Sequence, residues 1–333
     1  MEPVGVGVVG CGFVGMGAHV PAIAKIENAR LVAVADANEK TRQKIATKYG
    51  VEHTYADFEE LIANPDIQAV IVSLPTPLHA PAALAAIEAG KHVLCEMPLA
   101  STLDEADRII DAAKTKGVYL MPSLTFRFTP NYVKARALIE AGEVGNMSAL
   151  SYREWIPATD LAKQWPPDAW VWKIVESGGP LFTLAVWSID LLRWLTGSEI
   201  TEVHASTKYT PLKKTGGTLG YDAFATLRFA NGLVGTLQYS GSVNNAASVS
   251  KLEVVGDNTS VLSATDNDLV TMLADDPTKT EWNVKQKGTR MWGHRQQDEH
   301  FVTCIQNGQQ PCIAPEDGSK AMEVALQIGT ATA

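Results

Sequence analysis

The chain has 333 residues, 46% of them hydrophobic and 20% charged, with a formal net charge of −9. That length predicts two domains with ample core. An acidic surface repels a phosphate backbone, so no nucleic-acid partner is expected, and no apolar stretch approaches the roughly 20 residues that span a bilayer, so no membrane partner is expected either.

In chain order, Val4 to Val9 reads as a short, wholly apolar strand of the kind buried in a parallel sheet. It runs into Gly10-Cys11-Gly12-Phe13-Val14-Gly15, then a helical pattern from Ala18 to Ile26 and a second strand from Arg30 to Ala35, which ends at Asp36. A G-x-G-x-x-G at a strand-to-helix turn, with an acidic residue about 20 positions on, is the fingerprint of a dinucleotide-binding unit. Gly10 permits the tight turn, Gly12 lets backbone approach a pyrophosphate, and Gly15 lets helix pack on strand, while the helix N-terminus offers free N–H groups and a positive dipole end. Asp36 suits the adenosine ribose hydroxyls and repels a 2′-phosphate. This favours NAD, with NADP left open by nearby Lys40 and Arg42.

Further βα units follow. Ala69 to Leu74 is an apolar strand leading through Pro75-Thr76-Pro77 to a helix from His79 to Ala89, and His92 to Cys95 is the next strand. Thr102 and Glu105 make a capping box ahead of a helix ending at Gly117, and Val118 to Met121 is one more strand. This alternation predicts an α/β fold with a doubly wound parallel sheet over residues 1–123. Ligands on such sheets meet the carboxyl ends of the strands, which adds Leu74, Pro75, Thr76, His79, Glu96 and Met97 to Gly10, Cys11, Gly12, Phe13, Val14 and Asp36 as expected cofactor contacts.

From residue 124 to 333 the rhythm changes to an α+β pattern. Asn131 to Ala141 and Phe182 to Leu195 read as helices. Strand-like runs follow at Glu202–Tyr209, Ala223–Phe229, Leu233–Ser240, Lys251–Val255, Ser260–Ser263 and Leu269–Leu273. Asn231-Gly232 is a hairpin signal, Gly216-Gly217 predicts a mobile loop, and two helices from His294 and Glu316 close the chain. The four cysteines, Cys11, Cys95, Cys304 and Cys312, show no CxxC or His-rich spacing. Neither a disulfide framework nor a metal site is expected, and a reducing compartment fits. Met1-Glu2-Pro3 and the short apolar run behind it lack a basic segment and a cleavage site, which reads as a cytoplasmic protein.

Several segments together resemble the glucose–fructose oxidoreductase / inositol dehydrogenase (Gfo/Idh/MocA) family. These are Gly10 to Gly15, Ala89-Gly90-Lys91-His92-Val93-Leu94-Cys95-Glu96, Phe126-Arg127-Phe128-Thr129-Pro130-Asn131-Tyr132, Ser177-Gly178-Gly179-Pro180, Ile189 to Leu195 and Glu299-His300-Phe301. The resemblance implies a Rossmann domain, then a domain with a large, open, mostly antiparallel sheet that commonly carries dimer or tetramer contacts. It implies NAD(P)-dependent oxidation or reduction of a sugar, cyclitol or similar polyol, hence a carbohydrate-like small-molecule substrate and a homo-oligomer. It also puts Arg127 beside ligand or cofactor.

The departures matter. The family reads Glu-Lys-Pro where this chain has Glu96-Met97-Pro98, and its Asp and His after the Gly-Gly pair correspond to Thr183 and Trp187. None of Met97, Thr183 and Trp187 exchanges protons near neutral pH. Oxidising a carbinol still requires a proton to leave oxygen. Expected substitutes are Lys173, Tyr152, Glu154 and His294, with Arg153, Asp160, Lys163 and Tyr239 as further options. Around them, Trp165, Trp172, Thr183 and Trp187 are the expected substrate contacts, the tryptophans as a stacking wall for a ring. Two other readings of the same residues are a glycoside hydrolase or lyase that retains NAD and oxidises its substrate transiently, and a non-catalytic sensor that binds dinucleotide and ligand.

Overall fold

The computed structural model describes every residue except 1, 164, 214–217, 267, 275–278, 286–292 and 332–333; the expected Gly216-Gly217 loop lies outside the described residues. The chain packs as two compact units, Met1–Thr125 with Thr289–Lys320, and Phe126–Gly288 with Ala321–Ala333.

The first unit is built on β1 (Val4–Val9), β2 (Ala29–Ala35), β3 (His53–Tyr55), β4 (Ala69–Val72), β5 (His92–Cys95) and β6 (Leu120–Pro122). All pairings are parallel, in the order β3-β2-β1-β4-β5-β6. Every residue of β1 and β4 is buried, which is why these segments read as continuous apolar runs. The strand order reverses direction between β1 and β4, the switch point at which doubly wound sheets bind ligands. The helix Leu103–Lys116 starts as expected, with Thr102 Oγ1 accepting from the Glu105 N–H, and stops at left-handed Gly117. The helix Glu39–Tyr49 carried no sequence signal because only Ile45 of its residues is buried, so it lacks an apolar stripe. Past Gly12 the chain becomes helical at residues 13–14, widens into a π-type turn over Gly15–His19 and continues as the helix Val20–Ile23. The helix His294–Asn307 belongs to this unit although it follows the second sheet in the sequence: Phe301, Val302 and Cys304 are buried, and it packs on β1 and on the helix Val20–Ile23.

The second unit holds an eight-stranded sheet of β7 (Met147–Trp155), β8 (Ile200–Leu212), β9 (Thr218–Phe229), β10 (Val234–Ser240), β11 (Val249–Gly256), β12 (Val261–Thr265), β13 (Leu269–Leu273) and β14 (Lys279–Asn283), in the order β14-β13-β12-β11-β7-β10-β9-β8. Only the β10–β7 pairing is parallel; the other six are antiparallel. Asn231-Gly232 turns β9 into β10, with Gly232 at φ +87°. Residues 152–154, for which no strand was predicted, lie on β7, a central strand between β11 and β10. The strand alternates: Leu150, Tyr152 and Glu154 are buried while Arg153 is exposed. Glu154, charged yet at a buried position, broke the apolar period. The helix Gly179–Thr196 packs against β7 and β9 and is buried along most of its length.

Candidate active site

The three motif glycines of the first unit are glycine for different reasons. Gly10 stands at φ +85°, and a Cβ there would lie 2.3 Å from the Ser73 carbonyl oxygen. At Gly15 a Cβ would lie 2.0 Å from the Gly10 carbonyl oxygen. Those two are demanded by the turn itself. Around Gly12 a Cβ would meet nothing within 4 Å, and its φ is not positive, so packing places no demand there. Phe13, beside it, is 45% exposed, an apolar ring left in solvent at the mouth of the turn. The first backbone N–H groups of a helix have no intrahelical partner, so this end is a cradle for an anion.

Asp36 closes the same turn. Its Oδ2 accepts from the Cys11 N–H and its Oδ1 from the Asn38 N–H, each at 2.8 Å. Arg42 does not face an open pocket: its Nη1 donates to the Asp36 and Ala37 carbonyls. Along the β4 end, Leu74 and Pro75 are partly exposed and Thr76 is buried. His79 is buried and braced between the Leu74 and Pro98 carbonyls, 2.7 Å from each. Burial pushes its pKa down, outweighing the two carbonyl acceptors and the Glu96 charge, which raise it.

Glu96, at the end of β5, is the centre of a buried cluster. Its Oε1 accepts from Ser123 Oγ at 2.6 Å and from His19 Nε2 at 2.9 Å, and its Oε2 lies 3.3 Å from the Met97 N–H. Gln297 in turn donates to Ser123 Oγ at 2.9 Å. His294 Nε2 is 3.5 Å from the same Oε1, and His19 Nδ1 reaches Asp298. Burial favours the neutral acid, yet the bonds from His19 and His294 outweigh it and hold the Glu96 carboxyl far below the usual carboxylate range. Met97 beside it is 3% exposed and apolar. The donor atoms of His19, Glu96 and His294 lie within 4.8 Å of one another. The 2.9 Å between His19 and Glu96 is a hydrogen-bond length, shorter than the roughly 3.3 Å between two donors on a tetrahedral zinc.

In the second unit, Arg127 is bonded in parallel to buried Asp190, and Asp190 also meets Arg193 at 3.3 Å. Thr183 Oγ1 donates to the Gly179 carbonyl one turn back, and Trp187 is partly exposed on the same helix. Glu154 reaches across from β7 to this helix. Its Oε2 accepts from Ser188 Oγ and, at 2.6 Å, from Tyr239 Oη, whose oxygen is also 2.9 Å from the Leu184 carbonyl. Burial raises the Glu154 pKa more than these bonds lower it. Tyr152 is completely buried, in a hydroxyl triangle with Tyr132 and Ser250 of 2.8–3.0 Å sides; burial pushes its phenol well above the ordinary value. Lys173 is exposed. Trp172 is buried with its indole N–H 3.0 Å from the Pro166 carbonyl, and Trp165 meets Trp170 edge-on at 6.4 Å. The sequence-predicted residues thus form a turn with Asp36 and a carboxylate cluster in one unit, and a helix with Glu154 in the other. His19, Ser123, Gln297 and Asp298 were not among them. Their only sequence signal is polarity inside apolar surroundings.

Residues 4–124 match the family described as an oxidoreductase family with an NAD-binding Rossmann fold, and residues 132–262 match the Gfo/Idh/MocA C-terminal domain. The chain is 28% identical over 327 residues to a myo-inositol 2-dehydrogenase of Thermotoga maritima, covering 95% of this chain and 92% of that one. It is 30% identical over 291 residues to a levoglucosan dehydrogenase of Pseudarthrobacter phenanthrenivorans, covering 79% and 74%. A solved levoglucosan dehydrogenase in complex with NADH and L-sorbose superposes with a TM-score of 0.85 at 25% identity, over 98% of this chain and 96% of that one. No helix among the described residues is long and apolar enough to cross a membrane. With both of its domains matched in order, the chain belongs to the Gfo/Idh/MocA family of oxidoreductases, whose N-terminal part is an NAD-binding Rossmann fold.

Proposed function

We propose that the protein is an NAD(P)-dependent oxidoreductase that acts on a carbinol or carbonyl carbon of a sugar, polyol or glycoside-like substrate, with NAD preferred. The observation that carries this reading is Gly12 within its turn: Gly10 and Gly15 are bare because the fold requires it, whereas Gly12, between them, is bare beside open space, which leaves its backbone open to the approach of a ligand. A pyrophosphate there would rest on backbone amides of the turn, with Cys11, Phe13 and Val14 beside it. The carboxylate of Asp36 would receive ribose hydroxyls and repel a 2′-phosphate. Bound in that cradle, a nicotinamide coenzyme supplies the hydride acceptor or donor. Relatives named for inositol and levoglucosan support a substrate rich in hydroxyls.

The proton of the carbinol needs a separate acceptor. Met97, Thr183 and Trp187 supply none. Glu154 is the residue proposed to handle it: a carboxyl whose pKa burial raises is better suited to giving and taking a proton than an ordinary one. Its bond to Ser188 sets it against the helix that carries Thr183 and Trp187. Phe224 and Val234 lie exposed on the opposite face of the large sheet, and this face is the proposed contact between copies in a homo-oligomer.

The test is calorimetry with NAD and NADP, followed by a panel of sugars and polyols read by nicotinamide absorbance. Tight NAD binding with no turnover of any carbohydrate would count against the activity; absence of binding to either coenzyme would remove it.

A further inference from the structure

Both ring nitrogens of His19 face carboxylates. Nδ1 lies 3.1 and 3.0 Å from the two oxygens of Asp298, and Nε2 lies 2.9 Å from Glu96 Oε1. His19 and Asp298 are completely buried and Glu96 is 7% exposed. An ionised carboxylate only accepts hydrogen bonds, and a neutral imidazole carries a single N–H. Glu96 is held ionised by the bonds from His19 and His294, and Ser123 Oγ donates to the same oxygen, so Nε2 donates to Glu96. If the ring were neutral, its other nitrogen would turn a lone pair onto the Asp298 carboxylate, which only accepts. The second proton therefore belongs on the ring. Burial alone would lower the His19 pKa, but the charges and hydrogen bonds of Asp298 and Glu96 lift it to about 10.

The placement gives this cation a task. His19 ends the π-type turn that begins at Gly15, so its ring hangs from the segment that forms the glycine turn. Glu96 ends β5, next to Met97, and Asp298 lies on the helix His294–Asn307. The titratable groups that face the ring are Glu96 from the strand end, and Asp298 and His294 from the helix, the His294 ring standing edge-on at 5.2 Å.

We propose that His19 is a positioning residue, held as an imidazolium, which ties Glu96 to Asp298 and so keeps the glycine turn in the conformation that binds coenzyme. The inference rests on the coenzyme reading above for its purpose, but the charge on the ring can be read without coenzyme.

Two measurements test it. In long-range proton–nitrogen spectra of the full chain labelled at histidine nitrogen, the ring whose signals vanish in His19→Gln should carry protons on both nitrogens up to about pH 9. A neutral ring at about pH 7.5, or a ring signal shifted by a bound metal, overturns the proposal. Calorimetric titration with NAD should show His19→Gln weakened by about tenfold or more. Should that variant fail to fold, Asp298→Asn keeps the shape and removes one anion. The ring should then lose its second proton at least one pH unit earlier, with NAD affinity falling across that same range while the wild type stays flat. A protonated ring whose loss leaves NAD affinity and its pH profile unchanged overturns the positioning role. Wild-type protein that binds neither coenzyme sinks the functional reading instead, and the spectra still decide the charge.

Discussion

Arg127 grips Asp190 through two parallel hydrogen bonds, Nε to Oδ2 at 2.8 Å and Nη2 to Oδ1 at 2.6 Å. The Asp190 side chain is fully buried and that of Arg127 is 10% exposed, so the pair is shielded from water and salt. Removing one partner leaves the other charge stranded. Asp190→Ala should lower the unfolding free energy by about 3–5 kcal/mol in urea titration. Arg127→Lys should lose part of that, since an ammonium cannot make the paired contact. The family motif around Arg127 led to an expectation of ligand contact. If Arg127→Lys leaves stability intact and changes only coenzyme or substrate binding, the ligand role is the larger one.

The glycine turn separates binding from folding. Gly12→Ala places a methyl in open space, so the thermal midpoint should stay near wild type while NAD affinity falls by about tenfold or more. Gly10→Ala and Gly15→Ala drive a carbon to 2.3 and 2.0 Å from backbone oxygens and should destabilise the protein outright. Equal loss of stability in all three, or unchanged NAD affinity in Gly12→Ala, would contradict the assignment.

Asp36 both caps the turn and is proposed to select the coenzyme. Asp36→Ser removes the carboxylate that receives the Cys11 and Asn38 N–H groups. Stability should drop by about 1 kcal/mol, as for a lost cap. The ratio of NAD to NADP affinities, measured by calorimetry, should fall by about tenfold or more. An unchanged ratio would show that Asp36 acts only on the backbone.

Glu154 makes a pH prediction whose sign is set by burial. Its folded-state pKa is raised above the ordinary 4.5, so above that pH the folded state holds a proton that the unfolded chain has released. Stability from this group declines as pH rises from there through the folded pKa. Glu154→Gln keeps an acceptor for Ser188 and Tyr239 and removes the titration. Its thermal midpoint relative to wild type should therefore improve as pH rises above about 4.5. If Glu154 handles the carbinol proton, turnover should fall by about 10²–10⁴-fold while NAD affinity is retained. A variant with full turnover moves that role elsewhere.

The sequence by itself determined what local periodicity and short spacing can encode. The first sheet was legible because β1 and β4 are buried on both faces, and Asp36 was legible because it ends the strand next to the glycine turn. The hairpin at Gly232 was likewise written in two adjacent residues. Strand β7 was not, because Glu154 places a charge at a buried position next to Arg153 and interrupts the apolar alternation. The Arg127–Asp190 pair was also hidden, its partners lying 63 positions apart. Farthest from reach was the His19 cluster, where a ring four residues past Gly15 meets a carboxylate 279 positions later. Only the tertiary structure decides such a contact, because the ring's charge depends on which acceptors the fold brings to its two nitrogens after water has been excluded. No pattern of neighbours along the chain carries that information.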